Sequence, residues 1–384
     1  MKKALIITTI SGFVPQFEMN DVKILQESGY IVHYASDFEN PIYSIDVKSL
    51  EEQGLILHHI DIKKSPFKIR ENTKAFFQLK KIIEEENITL VHCHNPMGGV
   101  VGRLAARCSK RSPYTIYTAH GFHFYQGAPA KNWILYYTAE RLLARYTNRL
   151  IVINSEDYER AKKFQLSPNG RIEIIPGVGI DVIKFCKRKE LREKKRKELN
   201  IPADAFHVVS VGELNDNKNH AVMIKAIAQL ENSDIYYSIC GRGVGEEKLK
   251  ALIREYHLEQ NVRLLGYRID VEEVLQSADC FAFPSKREGL GIAAIEALAC
   301  EVPIIAADNR GTREYMRQGE DGIVCRTGSV EEYAYAIMEI KNSSQLRDVM
   351  AKNGRKMAEQ FSIDETDRIM RRIYGEISKQ QESM

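Results

Sequence analysis

The sequence predicts an α/β protein built from two doubly wound, Rossmann-like domains that face each other across a cleft. Three observations carry this. Short apolar runs alternate with amphipathic stretches along both halves, the pattern of a parallel sheet covered on both faces. The segment Pro176-Gly-Val-Gly-Ile-Asp181 interrupts the alternation, and a charged run from Lys187 to Lys197 follows it. A stretch near residue 290, Phe283-Pro-Ser-Lys-Arg-Glu-Gly-Leu-Gly-Ile-Ala-Ala-Ile-Glu296, passes from a strand through a glycine-bearing loop into a helix. A chain of 384 residues is long enough for two such domains. The boundaries are set at 1–185 and 186–360, with a last helical segment at 361–384.

The elements follow in order. Lys3 to Ile10 reads as a buried strand and Gln16 to Ser28 as a helix closed by Gly29. Strands are expected at Ile31 to Ala35 and Leu55 to Ile60. Glu71 to Glu86 is an amphipathic helix with Phe76, Leu79, Ile82 and Ile83 on one stripe. Strand Leu90 to Cys93, helix Gly98 to Cys108, strand Thr115 to Thr118 and a long helix from Lys131 to about Tyr146 come next. Strand Leu150 to Ile153, helix Glu156 to Phe164 and strand Ile172 to Ile175 complete the first half. In the second half, strands are expected at His207 to Val211, Ile235 to Cys240, Val262 to Leu265, Cys280 to Phe283, Pro303 to Ala306 and Gly322 to Cys325. Helices are expected at Ala221 to Leu230, Glu246 to Tyr256, Val271 to Gln276, from about Gly291, and at Thr312 to Arg317. Three more are Val330 to Ile340, Leu346 to Gln360 and Ile363 to Ile377.

Composition narrows the class. The chain is 44% hydrophobic and 28% charged, which is ordinary for a globular protein. Its 55 basic and 52 acidic side chains leave a net charge of +3, too balanced to point to nucleic acid. The seven cysteines show no paired spacing and read as reduced, buried thiols of a cytoplasmic protein. The basic, then apolar, start at Met1 lacks the longer apolar core of a signal peptide and ends at Ser11-Gly12 as a strand would. No stretch approaches the length of a membrane span, so any membrane contact is expected to be peripheral.

The stretch around residue 290 carries the chemistry. Gly289 and Gly291 let the backbone turn tightly and approach a ligand. A helix opening there offers free N–H groups and the positive end of its dipole, which suits phosphate. Glu288 and Glu296 frame it, the second roughly 7–8 Å further along the helix axis. One ligand with a central diphosphate and hydroxyl-rich ends could touch all three features. A glycine loop before a helix is also common in doubly wound proteins, and Glu296 could simply be solvated.

The setting Phe-Pro-Ser-x-x-Glu-Gly-Leu-Gly with a Glu-x7-Glu spacing resembles the donor-site motif of the family-4 retaining glycosyltransferases, which have the GT-B architecture. The resemblance covers nearly the whole chain and is strongest at 91–125, 211–220 and 281–301. It implies a nucleotide-sugar donor, with UDP the expected nucleotide, and bacterial enzymes of capsular or extracellular polysaccharide as the most similar members. It implies that Glu296 accepts from the ribose hydroxyls and that Glu288 lies against the transferred sugar. The backbone of Gly289, Leu290, Gly291 and Ile292 would hold sugar hydroxyls and phosphate. Lys218, in Val211-Gly-Glu-Leu-Asn-Asp-Asn-Lys218, matches the family lysine that grips the diphosphate. Glu213 stands where the family usually has an arginine. That leaves one fewer cation, for which Arg242 in Cys240-Gly-Arg-Gly243 could compensate. Tyr267 falls in the segment that reads the nucleobase, and is as readily a surface tyrosine.

In the first half, His120 in Thr118-Ala-His-Gly-Phe-His-Phe-Tyr125 matches a family histidine that contacts the donor sugar, and His123 is a weaker match. The His92-x-His94 pattern could suggest metal. Alternation along a strand is taken to turn the two rings to opposite sides, leaving His94 to a loop role beside the acceptor and His92 to the core. Gly12 could let the backbone approach phosphate or acceptor. The chain has no Asp-x-Asp, so no essential metal and no cofactor are expected. The expected reaction transfers a sugar, possibly an N-acetylhexosamine, to a hydroxyl of a sugar or lipid-linked acceptor with retention. The resemblance also suggests that the last helix crosses back to the first domain. Two basic stretches could meet an anionic membrane: residues 186–197, otherwise a solvated helix face, and Lys63, Lys64, Lys68, Arg70 and Lys74 interleaved with Phe67 and Ile69. A nucleotide-sugar 2-epimerase and a non-catalytic nucleotide-sugar-binding protein are the alternatives on the same fold.

Overall fold

The computed structural model describes residues 2–41 and 45–382. The chain forms two compact units. The first comprises residues up to Val178 together with those from Asp364 onward, and the second is Gly179–Ile363.

The first unit is built on seven parallel strands: β1 (Lys2–Ile7), β2 (Tyr30–Ser36), β3 (Ile56–His59), β4 (Leu90–His94), β5 (Tyr114–Ala119), β6 (Arg149–Val152) and β7 (Arg171–Ile174). Their order is β3-β2-β1-β4-β5-β6-β7. Leu5 of β1 lies between His33 of β2 and Val91 of β4 in register. The chain thus winds outward in both directions from the β1/β4 junction, the switch point outside which ligands of such sheets bind. β4 and the second half of β1 are buried without alternation because helices cover both faces of the sheet. Leu5, Ile7, Val91, Cys93, Tyr117 and Leu150 are buried together in the core.

The second unit repeats the plan with six strands: β8 (Phe206–Val211), β9 (Ile235–Cys240), β10 (Val262–Gly266), β11 (Cys280–Phe283), β12 (Ile304–Ala307) and β13 (Gly322–Cys325). The order β10-β9-β8-β11-β12-β13 puts the switch point between β8 and β11. Val208, Tyr237, Ile239, Ala282 and Ile305 lie in its core with Met223, Ile227 and Ile337 from the covering helices.

Several local expectations needed correction. The helix expected at Gln16 to Ser28 begins as a π-helical turn at Val14–Glu18 and continues as Met19–Glu27. Pro15 is tolerated because an N–H in the first turn has no intrahelical partner. A short helix at Val47–Glu52, capped by the Asp46 carboxylate on the Ser49 amide, had no counterpart in the sequence reading, since six residues are too few to display a period. The helix expected at Thr312 to Arg317 is only a 3-10 turn, Thr312–Glu314. Tyr315 drops into the core and Arg317 bends back to pair with Asp321, so the chain leaves the helix after one turn. Five of the seven cysteines are buried, while Cys108 is exposed and Cys186 half-buried.

The basic run is a solvated face only in part: Lys187, Lys189, Lys194 and Lys197 are exposed, and the rest of its cations are tied inward. It forms the helix Lys189–Glu198, and Lys195 and Arg196 are buried. Lys195 Nζ pairs with Asp270 at 2.8 Å, Glu198 at 2.7 Å and Glu273 at 2.9 Å. Arg196 pairs with Asp279 at 2.6 Å and also donates to the carbonyls of Ser277, Pro202, Ala203 and Ala205. These cations clasp the helix to its own unit.

Candidate active site

In the second unit the two loops leaving the switch point are stitched together. Asn215 Oδ1 accepts from the amides of Asn217 and Lys218, at 3.0 and 2.9 Å, closing the β8 loop on itself. Asn217 then bridges to the β11 loop: its carbonyl accepts from the Lys286 amide at 2.8 Å and its Nδ2 donates to the Arg287 carbonyl at 3.0 Å. This brings Lys218 Nζ to 2.7 Å from Glu288 Oε1 and 5.3 Å from the Phe283 ring centroid. The aliphatic stem of Lys218 lies over Gly212, where a Cβ would stand 3.2 Å from it.

Gly291 follows with φ of 108° and starts the helix Ile292–Ala299. A Cβ there would stand 2.8 Å from both the Phe283 ring and the Tyr315 hydroxyl, so conformation and space both demand glycine. Among the described residues no carbonyl takes the amides of Gly291, Ile292 or Ala293. These N–H groups are therefore available to an anion. Glu296, half-buried one turn further on, has its carboxyl pushed up to about 7. Burial is the main cause, repulsion from Glu272 adds to it and Lys184 opposes it. Such a carboxyl gains from hydrogen-bond donors that favour its ionised form.

Of the remaining expected residues of this unit, Glu213 and Arg242 are exposed and Tyr267 is two-thirds exposed, at 66%. Leu290 is buried beneath the loop. A group that sequence reasoning missed supports the loop from below. Asn309 Nδ2 donates to the Ser285 carbonyl at 2.9 Å, and its Oδ1 accepts from the Gly311 and Thr312 amides. Buried Arg310 donates from Nε to the Glu288 carbonyl at 3.2 Å. Gly311 lets Leu290 approach, since a Cβ would stand 2.6 Å from the Leu290 carbonyl oxygen. The available signal was positional: Asp308-Asn-Arg-Gly-Thr312 follows β12 as the Glu288 loop follows β11.

In the first unit the loops after β1 and β4 are tied by Asn95 Oδ1, which accepts from the Thr9 amide at 3.2 Å. Here the reading of His92 and His94 was wrong. Residues two apart on a strand share a face, and the two rings lie 4.1 Å apart between centroids. His92 is committed to the core on both nitrogens, to Tyr374 at 2.8 Å and Thr118 at 2.7 Å. His94 Nδ1 lies 3.2 Å from His120 Nε2, and Glu18 Oε1 is 3.5 Å from each of those nitrogens. Phe13, next to buried Gly12, packs its ring edge-on against His120 at 5.0 Å. Burial holds His92 and His120 down at about 3 and about 4, and His94 well below its ordinary value. Burial, then repulsion from Asp21, raises Glu18 well above the carboxylate range. Asp21 is pushed up to about 7, chiefly by burial, against the hydrogen bond it accepts from Tyr374 at 2.9 Å. The three imidazoles are therefore neutral at pH 7. Glu18, His94 and His120 are also spaced so that one cation could be held by an atom of each, whereas the similar set Asp21, His92 and His94 already has its His92 nitrogens occupied.

His120 also lines a small cavity of about 100 Å³ with Asn95, Tyr117, His123, Tyr136 and Glu140. Glu18, Asp21 and Tyr374 were not singled out from the sequence. Glu18 and Asp21 lie at the start of the expected first helix, and their partner Tyr374 is 353 positions from Asp21.

Two doubly wound units, each with polar groups gathered where the strand order reverses, make up the architecture of the GT-B fold. The family described as "Glycosyl transferases group 1" matches residues 191–357, and "Glycosyl transferase 4-like" matches residues 4–154. EpsD of Bacillus subtilis, itself only provisionally named a glycosyltransferase, is 36% identical over 378 residues, covering 97% of this chain and 96% of its own. An Escherichia coli UDP-Gal:α-D-GlcNAc-diphosphoundecaprenol α-1,3-galactosyltransferase is 28% identical over 302 residues, covering 76% of each chain. Among solved structures, Anabaena HepE in complex with UDP-glucose superposes with a TM-score of 0.79 at 18% identity, covering 98% of this chain and 100% of that one. The chain belongs to the group 1, family-4-like glycosyltransferases.

Proposed function

We propose that the protein transfers a sugar from a UDP-sugar to a hydroxyl of a sugar or lipid-linked acceptor in bacterial surface polysaccharide synthesis, with retention of configuration and without an essential metal. The observation that carries this reading is the Lys218–Glu288 pair, held 2.7 Å apart beside the unclaimed amides of Gly291 to Ala293. The second unit is the donor domain in this reading and the first the acceptor domain. The diphosphate lies on the helix N-terminus and displaces Glu288 from Lys218. Glu288 then turns its oxygens to the sugar hydroxyls, and Glu296 accepts from the ribose. As the bond to the anomeric carbon breaks, negative charge grows on the leaving phosphate, where Lys218 and the helix N-terminus stabilise it without reorganising. The acceptor hydroxyl attacks from the same face and passes its proton to the departing phosphate. His120, which burial keeps neutral at pH 7, takes the sugar-contacting role that the family resemblance gives it in this reading. With Glu213 in the position of the family arginine, the helix N-terminus bears more of the diphosphate, and buried Arg310 stiffens the loop that presents it.

The test is a panel of nucleotide-sugars, with and without lipid-linked acceptors, followed by free nucleotide and by product. Lys218→Ala and Glu288→Ala are expected to lower turnover by roughly a hundredfold or more, as loss of a charge-stabilising group does. Unchanged rates would remove this site. Conversion of the nucleotide-sugar with no acceptor present would mark an epimerase instead.

A further inference from the structure

We infer that the outer face of the helical segment 130–146, in the first unit, is a docking surface for an anionic phospholipid bilayer. The inference deepens the lipid-linked acceptor reading and names the surface from which that acceptor would be drawn. The segment runs without a break from Ala130–Asn132 through Trp133–Tyr137 and Thr138–Leu143 to Ala144–Tyr146. Its two sides have opposite duties. The inner side is fixed: Glu140 is buried, pairs with Arg103 at 2.7 Å and accepts from the Tyr117 hydroxyl at 3.1 Å. Tyr136 packs on His123 with ring centroids 4.8 Å apart.

The outer side inverts the usual pattern of a surface helix. Ile134 (74% exposed), Leu135, Leu142 (54%) and Tyr146 stand in solvent, where a helix packed by its other face normally carries polar groups. Between them are exposed Lys131, Arg141 and Arg145, and Arg107 reaches over the Tyr146 ring at 5.8 Å. None of these four cations has a carboxylate within ion-pair distance among the described residues. The run 186–197 differs in this respect, because its central cations are already paired. The stripe has apolar side chains, unpaired cations and no exposed acid. That chemistry fits the acyl boundary and the phosphates of an anionic leaflet. The four cations stand without a single exposed carboxylate among them, so the complementary surface is a uniformly anionic one, as a leaflet of acidic lipid is.

The same face of the sheet extends the surface. Helix Ile69–Glu85 packs against helix Pro96–Cys108, which in turn packs against Thr138–Leu143. Phe67, Ile69 and Phe77 are exposed along that flank, beside Lys64 and Arg70. Tyr136 and Glu140, on the inner side of the same segment, line the cavity beside His120.

The experiment is cosedimentation of the full chain with phosphatidylcholine vesicles, with and without phosphatidylglycerol. Binding is expected only to the anionic vesicles and is expected to weaken in high salt. Each well-placed cation contributes roughly a fivefold factor, so Arg141→Gln with Arg145→Gln should weaken partition about 25-fold. Ile134→Ser with Leu142→Ser should weaken it as well, and both pairs should retain wild-type nucleoside-diphosphate binding. Absence of binding by the wild type, or binding by both variants equal to wild type, overturns the proposal. So does sedimentation velocity showing a dimer that Ile134→Ser dissolves, since the face would then be an interface between copies. Failure of the donor assay with vesicle binding intact would count against the proposed function and not against this surface.

Discussion

At the scale of single residues, the proposed donor site depends on two unusual environments. Glu296 carries its proton up to about pH 7 because burial disfavours the charge. Between its ordinary value of 4.5 and about 7, the folded chain holds a proton that the unfolded chain has lost. The Glu296 contribution to stability therefore falls as pH rises through that window and is level above it. In the proposed function ribose hydroxyls donate to the ionised form, so on that reading nucleotide binding should release a proton near pH 6, and affinity should climb towards a plateau above about 7. Calorimetry in buffers of different ionisation enthalpy measures that proton, and Glu296→Gln should abolish both the release and the slope. Gly291 is the second case. With φ of 108° and Phe283 and Tyr315 2.8 Å from any Cβ, Gly291→Ala should cost about 1–3 kcal/mol of stability and displace the amides that face the ligand. Denaturant unfolding and nucleotide titration read the two effects separately; a variant with native stability and affinity would mean that the loop has room to spare.

At the scale of elements, the strands and the Glu288 loop were legible because their signals are local. A run such as Cys280 to Phe283 ended by Pro284 reads as a strand wherever it lies, and Gly289 and Gly291 mark a loop by backbone freedom alone. What could not be read was pairing at a distance. The Lys189–Glu198 helix has the composition of a solvated or membrane-binding face, yet Lys195 and Arg196 find Asp270 and Asp279 more than seventy positions downstream. Nothing within ten residues of the run announces those partners. The same holds for Glu18 and Asp21, whose company of His92, His94, His120 and Tyr374 is assembled from four separate segments. The His92-x-His94 error was of another kind, a misapplied strand period, and the sequence itself held the right answer. The clasp gives a prediction. Arg196→Ala removes one of the two cations on Asp279, which keeps Arg192 and the His207 amide, and leaves the carbonyls of Pro202, Ala203 and Ala205 without this donor; it should destabilise the second unit by about 2–3 kcal/mol. Exposed Lys197, two turns of charge notwithstanding, should tolerate alanine within about 0.5 kcal/mol. Urea midpoints of the two variants should differ widely; similar midpoints would mean that the buried pair is weak.

At the scale of the whole molecule, the chain leaves the first unit after Val178 and returns to it at Asp364, so the last helix, Ile363–Glu382, is sequence-distant but structurally part of the N-terminal unit. It is not a loose appendage. Met370, Ile373, Tyr374 and Ile377 are all buried, and at about 1.5–3 kcal/mol for each buried side chain they contribute roughly 6–12 kcal/mol as an upper estimate. That is the size of the entire stability of an ordinary domain. The helix also brings polar groups that others depend on. Tyr374 donates to Asp21 and bonds His92, and Glu376 pairs at 2.6 Å with Arg149, which is otherwise left buried with Glu173 as its carboxylate. A stop codon in place of Asp364 should therefore unfold the first unit while sparing the second, whose internal bridge from Ile180 to Ser362 remains. Limited proteolysis of the shortened chain should degrade residues up to 178 and leave a resistant fragment near 179–363 that still binds a nucleoside diphosphate. If instead the shortened chain resisted proteolysis throughout and melted as the full chain does, the burial of those four side chains would be contributing far less than their area implies, and the first unit would be stable on the residues before 179 alone.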